Sequence, residues 1–283
     1  MTTVAGLLEQ AAARLATDLG LAKREARLEA RVLAAHAWAV TPAWLIAHDT
    51  DALPTEQAAA FDALLARRLA GEPVAYLTGS REFFGRPFVV TPDVLIPRHD
   101  TELLVERALA QIPPGRPTTV LDLGTGSGCV AITLALERPQ ARVTAVDRSP
   151  AALAVAQRNA ALLGADVEFL TSDWFEALAF RRFDCIVGNP PYVAAGDPHL
   201  SRGDVRFEPA AALASGPDGL DDLRHLIEAA RDHLVPGGLL LLEHGYDQAP
   251  AVRALLSAHG YPRSRSWTDL AGIERVSGAE VSE

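Results

Sequence analysis

From Thr118 onward, short apolar runs rich in β-branched residues alternate with runs of helical length, and few folds can absorb that order. Strands are predicted over 118–123, 142–146, 167–170, 183–187 and 239–243. Helices are predicted over 130–136, 149–163, 221–234 and 248–259, with two weaker strands to follow. A helix between successive strands carries the chain back to the same end of the sheet, so the expected fold is α/β, with a mainly parallel sheet covered on both faces. Ligands in such sheets bind outside the carboxyl ends of the strands. The chemistry is therefore to be sought in the turns that leave those ends.

Ahead of this region the pattern differs. In residues 1–71, Val4, Leu7, Leu8, Ala11, Ala12 and Leu15 recur at helical spacing, and Gly20 is placed to stop that helix. Leu28, Val32, Leu33 and Trp38 form a second stripe, Thr41-Pro42 opens a short third helix, and Phe61, Leu64, Leu65 and Leu69 form a fourth ending at Gly71. Residues 1–71 are expected to be a small helical domain that docks a protein substrate. Residues 72–100 are expected to be a β-hairpin linker, because Phe83-Phe84 and Phe88-Val89-Val90 lie between Gly79, Gly85 and Pro87. Residues 101–283 form the larger domain, opening with a helix over 101–110 capped by Asp100 or Thr101.

Composition removes several functions. The 283 residues are 49% hydrophobic and 22% charged, so the chain can build an ordinary core. Apolar stretches such as 239–242 fall far short of the roughly 20 residues needed to cross a bilayer. No secretory leader is expected, because the stretch after Met1 has no basic region and is broken by Glu9 and Arg14, which points to the cytoplasm. Against 26 basic residues stand 36 acidic ones, a net charge of −10, whereas a protein that tracks phosphates carries a basic excess. No stable nucleic-acid partner is expected. Cys129 and Cys185 stand in small or apolar surroundings and read as reduced, buried thiols; with the eight histidines unclustered, no metal site is expected.

The first strand of the larger domain runs into Asp122-Leu123-Gly124-Thr125-Gly126-Ser127-Gly128. Glycines let this turn bend tightly and approach a ligand without Cβ interference. Asp147, 19 positions after Gly128, closes the second strand, where a carboxylate can accept hydrogen bonds from two ribose hydroxyls and has no part in packing a core. The pairing fits a dinucleotide or S-adenosylmethionine (SAM). Gly-x-Gly-x-Gly departs from the Gly-x-Gly-x-x-Gly dinucleotide fingerprint, which favours SAM. Thr125 stands where a nucleophile elbow centred on Ser127 would need glycine.

The fourth strand ends in Asn189-Pro190-Pro191-Tyr192. Two prolines fix φ and remove two backbone donors, leaving an array of acceptors. The Asn189 side-chain oxygen and the Pro190 carbonyl can each take one hydrogen from a planar NH2 group, while Tyr192 offers a ring face to the group that carries it. Holding both N–H bonds lets the delocalised nitrogen pyramidalise and aim its lone pair at a methyl sulfonium. Catalysis would then rest on positioning and on acceptors matched to developing charge. His99 and His244 lie in segments that border this region, and packed or solvent-facing roles are expected for both. Glu208 and Arg98 are expected to form a structural ion pair.

Together these segments resemble the peptide chain release factor glutamine methyltransferases of the PrmC/HemK type. The likeness covers nearly the whole chain, through Gly71 to Gly79, Arg81-Glu82-Phe83, Leu95 to Glu102, the glycine turn, Asn189 to Tyr192, Glu208-Pro209 and Glu243-His244-Gly245. The resemblance implies a Rossmann-like domain with a seven-stranded sheet, SAM held by Gly124 to Gly128, Asp147, Trp174 and Asn189, and a substrate glutamine held by Asn189 to Tyr192. Release factors are the implied partners. His99 stands where the family usually shows proline, and Glu274 where it usually shows aspartate. Two rival targets share the tetrapeptide: a ribosomal-protein glutamine, and the exocyclic amine of a DNA base, which the charge balance disfavours. A non-enzymatic SAM sensor is the third rival, and an intact tetrapeptide argues against it.

Overall fold

The computed structural model describes residues 3–281; the remaining ends of the two expected domains, with Met1 and Thr2 of the leader reading, lie outside the described residues. The chain packs into two compact units, dividing between Ser80 and Arg81. Among the described residues no helix is long and apolar enough to cross a membrane.

The first unit is helical, with α1 (Val4–Asp18), α2 (Lys23–Ala37), α3 (Pro42–Ala47), α4 (Thr55–Leu69) and the short α5 (Val74–Thr78). The Thr3 and Thr41 hydroxyls accept from the Gly6 and Trp44 amides, both at 3.2 Å, which satisfies first-turn donors of α1 and α3. Leu15, Leu33 and Phe61 are fully buried where the apolar stripes meet. Arg68 on α4 donates to Glu29 on α2 at 2.8 Å, so this strongly buried cation is paired with an acid. Residues 74–78, inside the stretch expected to be linker, are helical because Pro73 opens the turn and Gly79, at φ 69°, closes it.

A hairpin of β1 (Ser80–Phe83) and β2 (Arg86–Val89) follows. Phe84 and Gly85 have φ of 51° and 72°, the paired positive values that a tight two-residue hairpin turn requires. After a 3-10 turn at His99–Thr101, the second unit continues through α6 (Glu102–Gln111), β3 (Thr118–Leu123), α7 (Cys129–Glu137), β4 (Ala141–Asp147), α8 (Pro150–Leu163), β5 (Val167–Thr171), β6 (Phe183–Gly188), α9 (Asp221–Ala229), β7 (Leu234–Glu243), α10 (Ala249–Ala258), β8 (Arg265–Thr268) and β9 (Glu274–Glu280). The sheet order is β5-β4-β3-β6-β7-β9-β8, with β9 antiparallel to both its neighbours. Successive side chains on each strand serve opposite faces. Val120, Leu239 and Leu241 pack with α6 and α7, whereas Leu121, Leu240 and Leu242 pack with α9 and α10.

Two local expectations are corrected. The helix expected over 221–234 stops at Ala229, a 3-10 turn spans Ala230–His233, and Leu234 already pairs with Phe183 as the first residue of β7. The run of apolar residues hid the boundary, because a buried helix end and a buried strand start have the same polarity. Neither Asp100 nor Thr101 caps α6: Thr101 is helical at φ −67° and its buried hydroxyl is used elsewhere.

From β3 the chain winds to β4 and β5 on one side, then returns to lay β6 and β7 on the other. The switch point lies between β3 and β6, where helices depart to opposite faces and leave a crevice. The glycine turn and the tetrapeptide leave the sheet at these two strands.

Candidate active site

At the switch point lies a cavity of about 220 Å³. Gly124, Thr125, Gly126, Ser127, Asp147, Trp174, Asn189 and Pro191 all line it, so the sequence-predicted residues of the glycine turn and tetrapeptide converge. Gly128, Pro190 and Tyr192 adjoin these residues in the chain but are not part of the cavity lining. Gly128 has φ 81°, and a Cβ there would lie 2.8 Å from Ile132 Cδ1, so it is needed for the tight entry into α7.

The turn is held by carboxylates. Asp147 accepts from the Gly126 amide through Oδ2 and from the Ser149 amide through Oδ1, both at 2.9 Å. It therefore also holds the glycine turn, a task the sequence did not reveal. Each oxygen keeps a lone pair for a further donor. Asp122, which sequence reasoning left without a role, is buried and accepts from the Thr125 hydroxyl at 2.6 Å and the Ala131 amide at 3.2 Å. Burial pushes its carboxyl up to about 7, against the pull of the Thr125 hydrogen bond. Asn159 of α8, also missed, donates to the carbonyls of Ser127 and Val89 and so fastens the glycine turn to the hairpin.

Trp174 stands at φ 47° in the left-handed region, its carbonyl accepting from the Ser172 hydroxyl at 2.9 Å. Its ring lies so near Gly124 that a Cβ there would be 3.2 Å away. Glycine at 124 thus makes room for an aromatic wall.

The Asn189 Nδ2 donates to Thr101 Oγ1 at 3.1 Å, and among the described residues no group donates to Asn189 Oδ1 or to the Pro190 carbonyl. Tyr192 is fixed at both ends. Its hydroxyl donates to Glu243 Oε1 at 3.2 Å and its carbonyl accepts from Gln248 Nε2 at 3.0 Å. Burial, then the neighbouring Glu243 carboxyl, raises the phenol well above the ordinary tyrosine range, so Tyr192 stays protonated.

The remaining candidates are supports. Glu208, buried, pairs with Arg98 and accepts from the Ile96 amide at 3.0 Å, which fixes the 95–98 wall of the cavity. His99 is exposed and faces Glu102. His244 is buried between the Gly245 carbonyl and Ser277 Oγ, 2.7 Å from the latter, and burial lowers its pKa, keeping it neutral. Burial pushes both cysteine thiols up to about 12, which leaves them unreactive.

Two stretches of the chain match family models. Residues 99–213 match the family model "Methyltransferase small domain", and residues 6–79 match "PrmC N-terminal domain". The release factor glutamine methyltransferase of Bordetella pertussis is 56% identical over 253 residues, covering 89% of this chain and 94% of that protein. The protein of the same name from Escherichia coli K12 is 48% identical over 256 residues, covering 90% and 92%. A methyltransferase structure from Pyrococcus furiosus superposes with a TM-score of 0.54 at 18% identity, covering 77% of this chain and 98% of that one, a likeness of fold.

Proposed function

Because the chain belongs to the release factor glutamine methyltransferase family, we propose that it transfers a methyl group from SAM to the side-chain amide nitrogen of the glutamine in the Gly-Gly-Gln motif of peptide chain release factors. The observation that carries this reading is the state of Asn189: its NH2 is tied back to Thr101, so its oxygen is left as an acceptor at the cavity where an amide NH2 must be held.

The residues present suit SAM. Gly124, without a Cβ, leaves the Trp174 ring as an aromatic wall for adenine, and the spare lone pairs of Asp147 suit two ribose hydroxyls. When bound, SAM supplies a methyl carbon activated by the sulfonium. The Asn189 oxygen and the Pro190 carbonyl each hold one hydrogen of the glutamine NH2, so the amide resonance is loosened and the nitrogen lone pair points along the line of attack. As the N–C bond forms and the C–S bond breaks, the nitrogen gains positive charge and its protons become more acidic. The two acceptors then bind more tightly than in the ground state, which is what accelerates the step. One proton passes to solvent, so no strong base is required before attack. Tyr192, held protonated and immobile, walls the aliphatic part of the glutamine side chain.

Two outcomes are expected. Incubated with SAM and its own organism's release factor, the protein adds one methyl to the glutamine of the Gly-Gly-Gln loop, and tandem mass spectrometry finds none on neighbouring glutamines or after that glutamine is replaced. Methyl transfer to DNA or a ribosomal protein, with the release factor untouched, would move the function to a rival target. Asp147→Ala weakens SAM binding by about 1–3 kcal/mol, the loss expected for hydrogen bonds to a charged group. Isothermal titration giving unchanged affinity would take Asp147 out of the binding site.

A further inference from the structure

The two prolines that leave residues 190–192 rich in acceptors also leave them short of donors with which to anchor themselves. Among the described residues, the backbone of 190–192 makes one hydrogen bond: the Tyr192 carbonyl accepts from Gln248 Nε2 at 3.0 Å. Gln248 stands at the start of α10, and its side chain bridges three segments. Nε2 also donates to the Gly219 carbonyl at 3.3 Å, ahead of α9, with the Asp218 carbonyl 3.5 Å away, and Oε1 accepts from the Gly245 amide at 2.8 Å, just past β7. A carbonyl can only accept and an amide N–H can only donate, so these partners allow the Gln248 amide one orientation.

Pro190 and Pro191 fix φ at two consecutive residues, and Pro191 also keeps Pro190 out of the helical region. The stretch from the Pro190 carbonyl to the Tyr192 carbonyl is therefore stiff, and holding the second sets the first. Val193, next in the chain, donates to the Leu213 carbonyl and accepts from the Ser215 amide, both at 2.9 Å, so the tetrapeptide and the loop leading to α9 brace each other. Gln248 holds both of them, at Tyr192 and at Gly219, against the end of β7. The contact of the Tyr192 hydroxyl with Glu243 fixes the ring rather than the peptide, and Asn189 is held separately, by its side chain on Thr101.

We propose that Gln248 is a positioning residue for the methyl transfer: by tying the Tyr192 and Gly219 carbonyls to the end of β7, it sets the place of the Pro190 carbonyl, the second acceptor for the substrate amide. The proposal rests on the reading of residues 189–192 as acceptors for that amide.

The full-length Gln248→Glu, Gln248→Met and Asn189→Ala variants test it by steady-state turnover on the release factor well below each melting temperature, SAM titration and thermal unfolding. Gln248→Glu keeps the volume and the acceptor for Gly245 but sets a carboxylate oxygen against the Tyr192 and Gly219 carbonyls. Gln248→Met keeps the approximate volume and makes none of these bonds. Both are expected to lower kcat about 10²-fold by misplacing the acceptor, with KM for the release factor and SAM affinity close to wild type. If Gln248 serves only to hold Gly245 at the start of α10, Gln248→Glu turns over like wild type and Gln248→Met alone suffers; that result overturns the proposal. Wild-type kcat in both variants overturns it too, as does a loss that only parallels lost SAM affinity and melting temperature. If Gln248→Glu does not fold, Gln248→Met decides, and wild-type kcat there overturns the proposal. An active Asn189→Ala overturns the reading of the site and this proposal together; an inactive one beside an intact Gln248→Glu overturns this proposal alone.

Discussion

Replacing Asn189 with alanine lowers turnover by about 10² to 10³, the cost of one lost acceptor aimed at developing charge, while SAM affinity falls far less. The difference between the two effects follows from where the side chain is used. Its oxygen faces the substrate amide, and the charge it meets exists mainly in the transition state, so the loss falls on kcat. Its nitrogen is spent on Thr101, 88 positions away in sequence. Asn189→Asp probes the same arrangement. It restores an oxygen at the cavity but replaces the NH2 that donates to Thr101 with a second oxygen. That variant is expected to be slow for lack of the donor that orients it. Near wild-type methylation by Asn189→Ala, measured by transfer of labelled methyl to the release factor, would remove the amide-orienting mechanism.

The parts of this site that were legible in the sequence are those in which neighbouring residues act together. Gly124, Gly126 and Gly128 stand within five residues and all take positive φ, a demand that leaves its mark on composition. Asn189 to Tyr192 form one rigid stretch whose acceptors follow from the prolines alone. The alternation of strands and helices was equally readable, because each helix or strand writes its own period. What stayed hidden is made by distant pairing. Tyr192 reaches Glu243 across 51 positions and Gln248 across 56, and Asn159 reaches Val89 across 70. A lone glutamate at the end of an apolar strand, or an asparagine inside a helix, has no local pattern to announce such a partner. Thr101 was misread for the same reason: beside a helix start, a threonine reads as a cap, and only the folded chain brings Asn189 to compete for its hydroxyl. The sheet order is a further case, since the alternation predicts parallel strands without saying that β6 lies against β3.

The same distant pairing makes Gly219 a position where one added methyl group reaches the site. Gly219 has φ 76°, and a Cβ built there overlaps the Tyr192 carbonyl oxygen and lies 2.8 Å from Gln248 Nε2. Neither neighbour is the free end of a flexible chain: the first is backbone, and the second is the donor that holds that backbone at 3.0 Å. Gly219→Ala therefore incurs a left-handed strain of about 1–2 kcal/mol together with an overpacking cost of about 1–3 kcal/mol. The displacement it forces falls on Tyr192, whose preceding residues carry the two acceptors. Turnover is expected to drop about 10²-fold, as shifts of an ångström at a positioned group do. Gly115 supplies the control. It has nearly the same φ, 74°, but a Cβ there meets nothing within 4 Å, and it lies in the loop before β3, at the opposite end of the strand from the glycine turn. Gly115→Ala carries the backbone strain without the overlap, so it should lower the unfolding temperature slightly and leave methyl transfer intact. If the two variants lose turnover equally, the effect belongs to backbone strain in general, and the route from Gly219 through Tyr192 to the acceptors is wrong.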